Sequence, residues 1–271
     1  MSEAILTAPS DSTTKTVPRE NRAGSDALRH IWSIAKREVT GYFASPVAYV
    51  FIVIFLLLSG FFTFMVAGFF GRGQANLLAF FAWHPWLYLF LVPAVGMRMW
   101  SEERRLGTIE LLLTMPITPW QAIVGKFLAS WLVLAIALAL TFPIVLTVNY
   151  LGNPDNGVIL ASYVGSLLLC GAYLSVSAMT SAMTRNQVVS FIVSVVLCLF
   201  LILAGWPPVT NLVTQWASPW LVETIAAFSV MTHFDSIQKG VIDSRDVIFF
   251  LSVIVFCLFA TSVIIRAHRS G

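Results

Sequence analysis

The chain has 271 residues, of which 58% are hydrophobic and only 11% charged. Soluble domains carry about 25% charged residues, so a soluble fold of this size is excluded and the lipid bilayer is the expected solvent. The net charge of +3 is too small for a basic surface of the kind that binds nucleic acid. The cysteines Cys170, Cys198 and Cys257 all lie in apolar runs, which predicts small buried side chains and neither disulfides nor a metal site.

The first 24 residues are polar and rich in Thr, Ser and Pro. They lack the apolar core of about 7–15 residues that a signal peptide needs. We interpret residues 1–24 as a disordered cytoplasmic tail, either a dispensable leader or a docking segment, and residues 25–271 as one transmembrane domain.

An amphipathic helix is predicted over Asp26–Phe43. Apolar side chains recur at helical spacing on one face, and basic side chains occupy the other. This pattern is typical of a helix that lies in the inner headgroup layer and favours anionic lipid. The candidate interfacial residues are Leu28, Ile31, Trp32, Lys36 and Arg37.

Six apolar runs are long enough to cross the hydrocarbon core as helices, which requires about 20 residues. They cover residues 47–69, 79–99, 124–148, 160–183, 187–206 and 247–265. Pro93 and Pro143 lie inside two of these runs and are expected to kink the helices.

The basic residues set the expected orientation. With the N-terminus inside, 13 of the 16 Lys and Arg residues fall on the cytoplasmic side, which predicts N-in/C-in topology. The three on the outer side are Arg72, Lys239 and Arg245. The outer connection 207–246 holds two apolar stretches, Val209–Trp216 and Trp220–Met231, which are too short to span and are interpreted as interfacial or re-entrant helices.

A charged and then amphipathic insert, Ser101–Lys126, separates the second and third runs on the expected cytoplasmic side. Gly107 permits a sharp change of direction, and Thr108 is a candidate N-cap for a short helix. Pro116 ends that helix, and Thr118-Pro119-Trp120-Gln121 forms a capping box that opens the third span. On the residues alone, the apolar face of the short helix could contact a soluble partner or rest on lipid and seal the bundle.

The insert resembles the signature E-x-x-x-G-T-x-E-x-L-L-x-x-P of ABC-2-type transporter permeases, with Glu103, Gly107, Thr108, Glu110, Leu112, Leu113 and Pro116 at the matching positions. The stretches Met183–Gln187, His233–Ile237 and Lys239–Asp243 are similar to the branch related to gliding-motility ABC permeases. The resemblance covers roughly residues 24–268.

The resemblance implies an all-α polytopic membrane protein of six transmembrane helices. The protein would also contain an N-terminal interfacial helix, a cytoplasmic coupling helix and an outer re-entrant segment. It implies a permease subunit, most consistent with an exporter, in a bacterial inner membrane. The partners would be two ABC ATPase subunits, which bind ATP and Mg²⁺, and a second permease copy or paralogue. The expected ATPase-coupling residues are Glu103, Arg104, Arg105, Gly107, Thr108, Ile109, Glu110, Leu112, Leu113 and Pro116.

The sequence contains no G-x-x-x-x-G-K-[ST] phosphate loop and no H-E-x-x-H or G-x-S-x-G motif, so we expect a subunit that is not itself an enzyme and holds no cofactor. His84 and His233 are expected to be interfacial or solvated histidines, and Glu223 a carboxylate directed to the surface. The alternative function is a non-transporting anchor that relays ATPase motion to envelope or motility machinery. No motif identifies the substrate.

Overall fold

The computed structural model describes residues 19–108, 118–214 and 219–267, and these are helical without strands. α1 begins at Arg19, so the last residues of the predicted tail are helical, whereas residues 1–18 lie outside the described part. The helices are α1 (Arg19–Ala44), α2 (Pro46–Phe61), α3 (Leu78–Ala82), α4 (His84–Gly96), α5 (Arg98–Leu106), α6 (Pro119–Ala139), α7 (Phe142–Leu151), α8 (Asn156–Met183), α9 (Gln187–Leu203), α10 (Pro207–Val213), α11 (Pro219–Ala227), α12 (Val230–Gln238) and α13 (Ser244–Ala267).

Within the described ranges, four helical stretches are long and apolar enough to cross a membrane. They are Ala48–Gly71, Pro119–Leu151, Asn156–Met183 and Ser244–Ala267, and each overlaps a predicted run. The predicted run 187–206 forms the shorter α9, of 17 residues. The predicted run 79–99 is divided between α3, α4 and the start of α5. The structure is therefore that of a polytopic, all-helical membrane protein.

Pro93 and Pro143, which lie inside predicted runs, differ in their effect on the helix. The chain is interrupted at Leu140–Thr141, directly before α7, where Pro143 occupies the first turn. Proline has no N–H to donate at this point, and the Thr141 hydroxyl lies 2.6 Å from the Leu138 carbonyl oxygen and 2.8 Å from the Tyr163 hydroxyl. The break lies beside Pro143, where a kink is predicted. Pro93, by contrast, lies inside the unbroken α4.

α8 is the central helix and contacts α4, α5, α6, α9, α12 and α13. Small residues let its neighbours approach closely. A Cβ placed on Gly96 of α4 would lie 2.4 Å from Cβ of Ser177, so only glycine fits there. The side chains of Leu169, Tyr173 and Leu174 on α8 are fully buried. Cys170, Cys198 and Cys257 are buried and unbonded, as predicted.

The helical bundle has two ends, here called the insert end and the opposite end. The insert end carries α5, Gly107, Thr108 and the first turns of α6. The opposite end carries α10, α11 and α12, whose short helices overlap the two predicted apolar stretches; residues 215–218 lie outside the described ranges. Val230, Phe234 and Ile237 of α12 are buried, so α12 packs into the bundle against α8 and α13.

Candidate functional site

α5 leads directly into the insert, and its C-terminal end is set by Gly107. This residue has a φ of 72°, in the left-handed region that favours glycine, and its N–H bonds to the Glu103 carbonyl. Arg104 and Arg105 occupy the last turn of α5, where cations interact favourably with the helix dipole. α5 therefore ends at Gly107, where a change of direction is predicted; the residues that would show the new direction lie outside the described part.

The predicted coupling residues divide into two sets. Glu103, Arg104, Arg105, Gly107 and Thr108 lie in the described part of the chain. The core of the predicted coupling helix falls on residues outside it, namely Ile109, Glu110, Leu112, Leu113 and Pro116. The described part begins again at Thr118, which is the N-cap residue of α6. The Thr118 hydroxyl accepts the Gln121 N–H at 3.4 Å, and the Gln121 side chain accepts the Thr118 N–H at 3.1 Å. The predicted capping box is confirmed.

The start of α5 is fastened to the end of α8 by one hydroxyl group. Oγ of Ser181, on α8, accepts the backbone N–H groups of Trp100 and Ser101, each at 3.0 Å. These are the third and fourth N–H groups of α5, which a helix cannot satisfy within itself. The same hydroxyl donates to the carbonyl oxygen of Met97 at 2.8 Å. Ser181 is fully buried, so it serves as a helix cap supplied by a neighbouring helix.

Arg104 makes a second connection between α5 and α8. Its Nη1 donates to the carbonyl oxygen of Ala182, in the last turn of α8, where carbonyls lack intrahelical partners. Partial burial, together with the nearby Arg185 guanidinium, lowers the pKa of Arg104. An arginine keeps its charge at neutral pH. The guanidinium therefore caps the end of α8 from the helix that enters the insert.

An ion cluster joins α1, α5 and α6. Nζ of Lys126, on α6, lies 2.7 Å from Oε1 of Glu103 on α5 and 3.4 Å from Oε1 of Glu38 on α1. It also lies 5.3 Å from the centroid of the Trp100 ring, within the range of a cation–π interaction. The lysine side chain is only 7% exposed, and a buried ammonium is stable only when it is paired.

α1 and α6 are also packed tightly against each other. A Cβ on Gly125 of α6 would lie 2.8 Å from Cγ2 of Ile34, so the glycine permits a close approach of α1. The Tyr42 and Ser130 hydroxyls lie 2.9 Å apart and form a hydrogen bond between the two helices. The predicted amphipathic segment is thus helical. Of the candidate interfacial residues on α1, Leu28, Trp32, Lys36 and Arg37 are exposed and Ile31 is half-buried.

Three residues of this site are not predicted from the sequence: Lys126, Glu38 and Ser181. A usable signal existed for Lys126, because a lone lysine inside the predicted span 124–148 is costly unless it has a partner or a function. Nothing in the sequence singled out Glu38 or Ser181, since charged and hydroxyl residues are frequent on such helices. Their role follows only from the contacts between helices.

The histidines at the opposite end differ from expectation. His84 is not interfacial; it is fully buried, with ring centroids of Phe80 at 4.6 Å and Phe81 at 5.1 Å. The division of the predicted run at Trp83 turns this side chain into the bundle. Nδ1 of His233 lies 2.6 Å from the buried carboxylate of Asp246, so it is paired within the protein. Glu223 lies on α11, and the predicted direction of its side chain stays a prediction.

Residues 87–219 match the family model described as ABC-2 family transporter protein. The chain is 28% identical over 143 residues to the protein named inner membrane transport permease YhhJ of Escherichia coli (strain K12), and equally to its namesake in Shigella flexneri. The match covers 52% of this chain and 36% of each relative, so it spans about a third of the relatives' length. The resemblance to ABC-2 transporter permeases is confirmed, whereas the gliding-motility branch stays a prediction.

Proposed function

We propose that this chain, whose residues 87–219 match the ABC-2 transporter family, is the membrane-spanning permease subunit of an ABC transporter that exports its substrate. A separate ATPase would bind ATP and Mg²⁺ and supply the energy. The observation that carries the proposal is the set of polar contacts that tie α5 to α1, α6 and α8, because α5 leads directly into the insert.

These contacts support a specific route for motion. A force applied to residues 109–117 reaches α5 at Gly107 and α6 at Thr118. Lys126 and Glu103 connect these two helices to each other, and Ser181 connects α5 to the central helix α8. Since α8 contacts most of the bundle, displacement of the insert would tilt several helices together. The surrounding side chains are buried and close-packed, so they transmit such a displacement.

The arrangement in the membrane is part of the proposal. Six spans in N-in/C-in topology require α9 and the α3–α5 region to cross the bilayer along with the four long stretches. The insert end then faces the cytoplasm, where an ATPase can reach it. A bacterial inner membrane is the proposed location, which the name of the relatives supports. Two permease copies, or this chain and a paralogue, with two ATPase subunits would form the working complex.

Co-purification tests the coupling site. The chain is expressed in the organism that naturally encodes it, and bound ATPase is identified by mass spectrometry. Substituting both Leu112 and Leu113 by Asp should abolish ATPase binding while membrane insertion is retained. Val241 and Ile242 are adjacent, exposed apolar residues outside the helices at the opposite end, and their double substitution by Asp is the matched control. If the ATPase stays bound to L112D/L113D, the insert is not the coupling site.

Transport itself needs a second measurement. The purified complex is placed in vesicles, and the substrates released by cells that contain or lack this chain are compared and then assayed for ATP-dependent movement. ATP-dependent movement supports export. Assembly of the complex with no substrate movement, together with normal cell function after the translocation path is blocked, would instead support the mechanical relay.

A further inference from the structure

An open cavity of about 840 Å³ lies between α1 and α6. Its walls are apolar apart from a few side chains of α1. The residues that matter most are Leu28, Trp32 and Lys36 from α1, and Leu128, Leu132 and Ala135 from α6.

The cavity is a fixed feature, because α1 cannot fill it by moving toward α6. The two helices are already in contact at Gly125, and the Tyr42–Ser130 hydrogen bond and the Glu38–Lys126 ion pair hold them in place. The space therefore has to be filled by something else when the protein is in its membrane.

The position of the cavity along α6 indicates an occupant from the bilayer. Pro119–Leu151 has 33 residues, whereas about 20 helical residues cross the hydrocarbon core, so part of this stretch lies outside the hydrocarbon. The cluster of Lys126 on α6 with Glu103 on α5 and Glu38 on α1 is charged, and charged groups are costly in the hydrocarbon. The cluster therefore favours headgroup level for this part of α6. Leu128, Leu132 and Ala135 continue from there into the hydrocarbon.

The charge of the residues that line the cavity indicates which lipid headgroup would bind. Lys36 is the only charged residue that lines the cavity, and no ion pair in the described ranges gives its ammonium a carboxylate partner. Trp32, one helical turn away, is 70% exposed, and tryptophan prefers the interface between headgroups and acyl chains. An apolar cavity with an unpaired cation at its rim complements an acyl chain that carries an anionic headgroup.

We propose that this cavity binds one anionic glycerophospholipid from the leaflet at the insert end. Its phosphate would interact with Lys36, and an acyl chain would lie along Leu128, Leu132 and Ala135. The bound lipid would complete the packing of α1 against α6. This inference concerns the site alone and does not depend on the direction or substrate of transport.

Two pairs of variants test the proposal on the detergent-purified full chain. Ala135→Trp fills the cavity, and Ala139→Trp, one turn further along α6 and exposed, does not line it. Lys36→Gln removes the cation at the rim, and Arg37→Gln removes a neighbouring exposed charge that lies outside the cavity and pairs with Glu38. Each protein is delipidated and incubated with equal phosphatidylglycerol and phosphatidylcholine. Retained lipid is counted by native mass spectrometry, and folding is checked by circular dichroism.

We expect the unmodified chain to retain one phosphatidylglycerol in preference to phosphatidylcholine. Lys36→Gln should lower that preference about fivefold, which is the effect of one basic residue near an anionic lipid. Ala135→Trp should abolish retention of both lipids, and the two controls should behave as the unmodified chain.

Three results would overturn the proposal. One is equal retention of both lipids by the unmodified chain, and another is unchanged retention by Ala135→Trp. The third is loss of self-association in Ala135→Trp with lipid retention intact, which would identify a second copy of the chain as the occupant. Lys36 is exposed, so Lys36→Gln remains informative even if the tryptophan variant does not fold.

Discussion

Nζ of Lys126 lies 2.7 Å from Oε1 of Glu103, and this pair joins the two helices that flank the insert. The lysine is buried at the start of α6, and the carboxylate lies one turn before the end of α5. Whatever residues 109–117 bind, the helices that enter and leave this segment are held together by the pair. The following predictions test that connection and its surroundings.

Lys126→Met should lower the free energy of unfolding, because it leaves the Glu103 carboxylate without its cation and removes one of the two cations beside Glu38, which also pairs with Arg37. Removing one partner of a fully buried pair costs about 3–5 kcal/mol. Both carboxylates here keep some solvent exposure, so we expect about 1–3 kcal/mol. Thermal unfolding in detergent measures the change.

Lys239→Met is the matched control for this substitution. Lys239 also pairs with a carboxylate, that of Asp235, but both side chains are at least half exposed. An exposed pair contributes about 0–1 kcal/mol, so the control should unfold nearly as the unmodified chain does. Equal losses in the two variants would show that the buried cluster has no special role.

Ser181→Ala should loosen the start of α5. It removes the acceptor for two backbone N–H groups, and leaving such buried groups unsatisfied costs about 1–3 kcal/mol. Hydrogen–deuterium exchange should become faster at Trp100 and Ser101. Ser175→Ala, on the same helix, is the control, since the Ser175 hydroxyl donates to the Ala172 carbonyl of α8 itself. Unchanged exchange in Ser181→Ala would argue against the capping role.

Gly125→Ala should destabilise the chain, because the added methyl group would lie 2.8 Å from Cγ2 of Ile34. Overpacking of this kind costs about 1–3 kcal/mol. Gly60→Ala, inside α2, meets no atom within 4 Å and should be neutral or slightly stabilising, because alanine favours helix. Unfolding midpoints in detergent should therefore move in different directions, and a shared direction would contradict the close approach of α1.

Gly107→Val should weaken binding of the proposed ATPase partner. A β-branched residue is strained at a φ of 72°, which costs about 1–2 kcal/mol and disturbs the end of α5. Gly107→Asn should retain most function, since asparagine tolerates this conformation. The readout is the amount of ATPase that co-purifies. Identical binding by the two variants would mean that the left-handed turn is unimportant for assembly.

Sequence signals that involve only neighbouring residues agree with the structure. The capping box at Thr118 and Gln121, the turn at Gly107 and the interruption before Pro143 each depend on a few neighbouring residues, so local chemistry specifies them. The division of the predicted run 79–99 was missed, because hydropathy cannot distinguish one straight helix from two short ones that pack into a bundle. His84 was misplaced for the same reason.

The sequence by itself determined that this is a helical membrane protein with a charged insert between apolar helices, because composition and hydropathy depend on residue types alone. Only the tertiary structure decided that Lys126 pairs with Glu38 and Glu103, and that Ser181 caps α5. These partners come from different helices, and each helix offers several charged or hydroxyl side chains. Which of them meet depends on how the helices pack, and packing is set by the close fit of small residues such as Gly125 and Gly96.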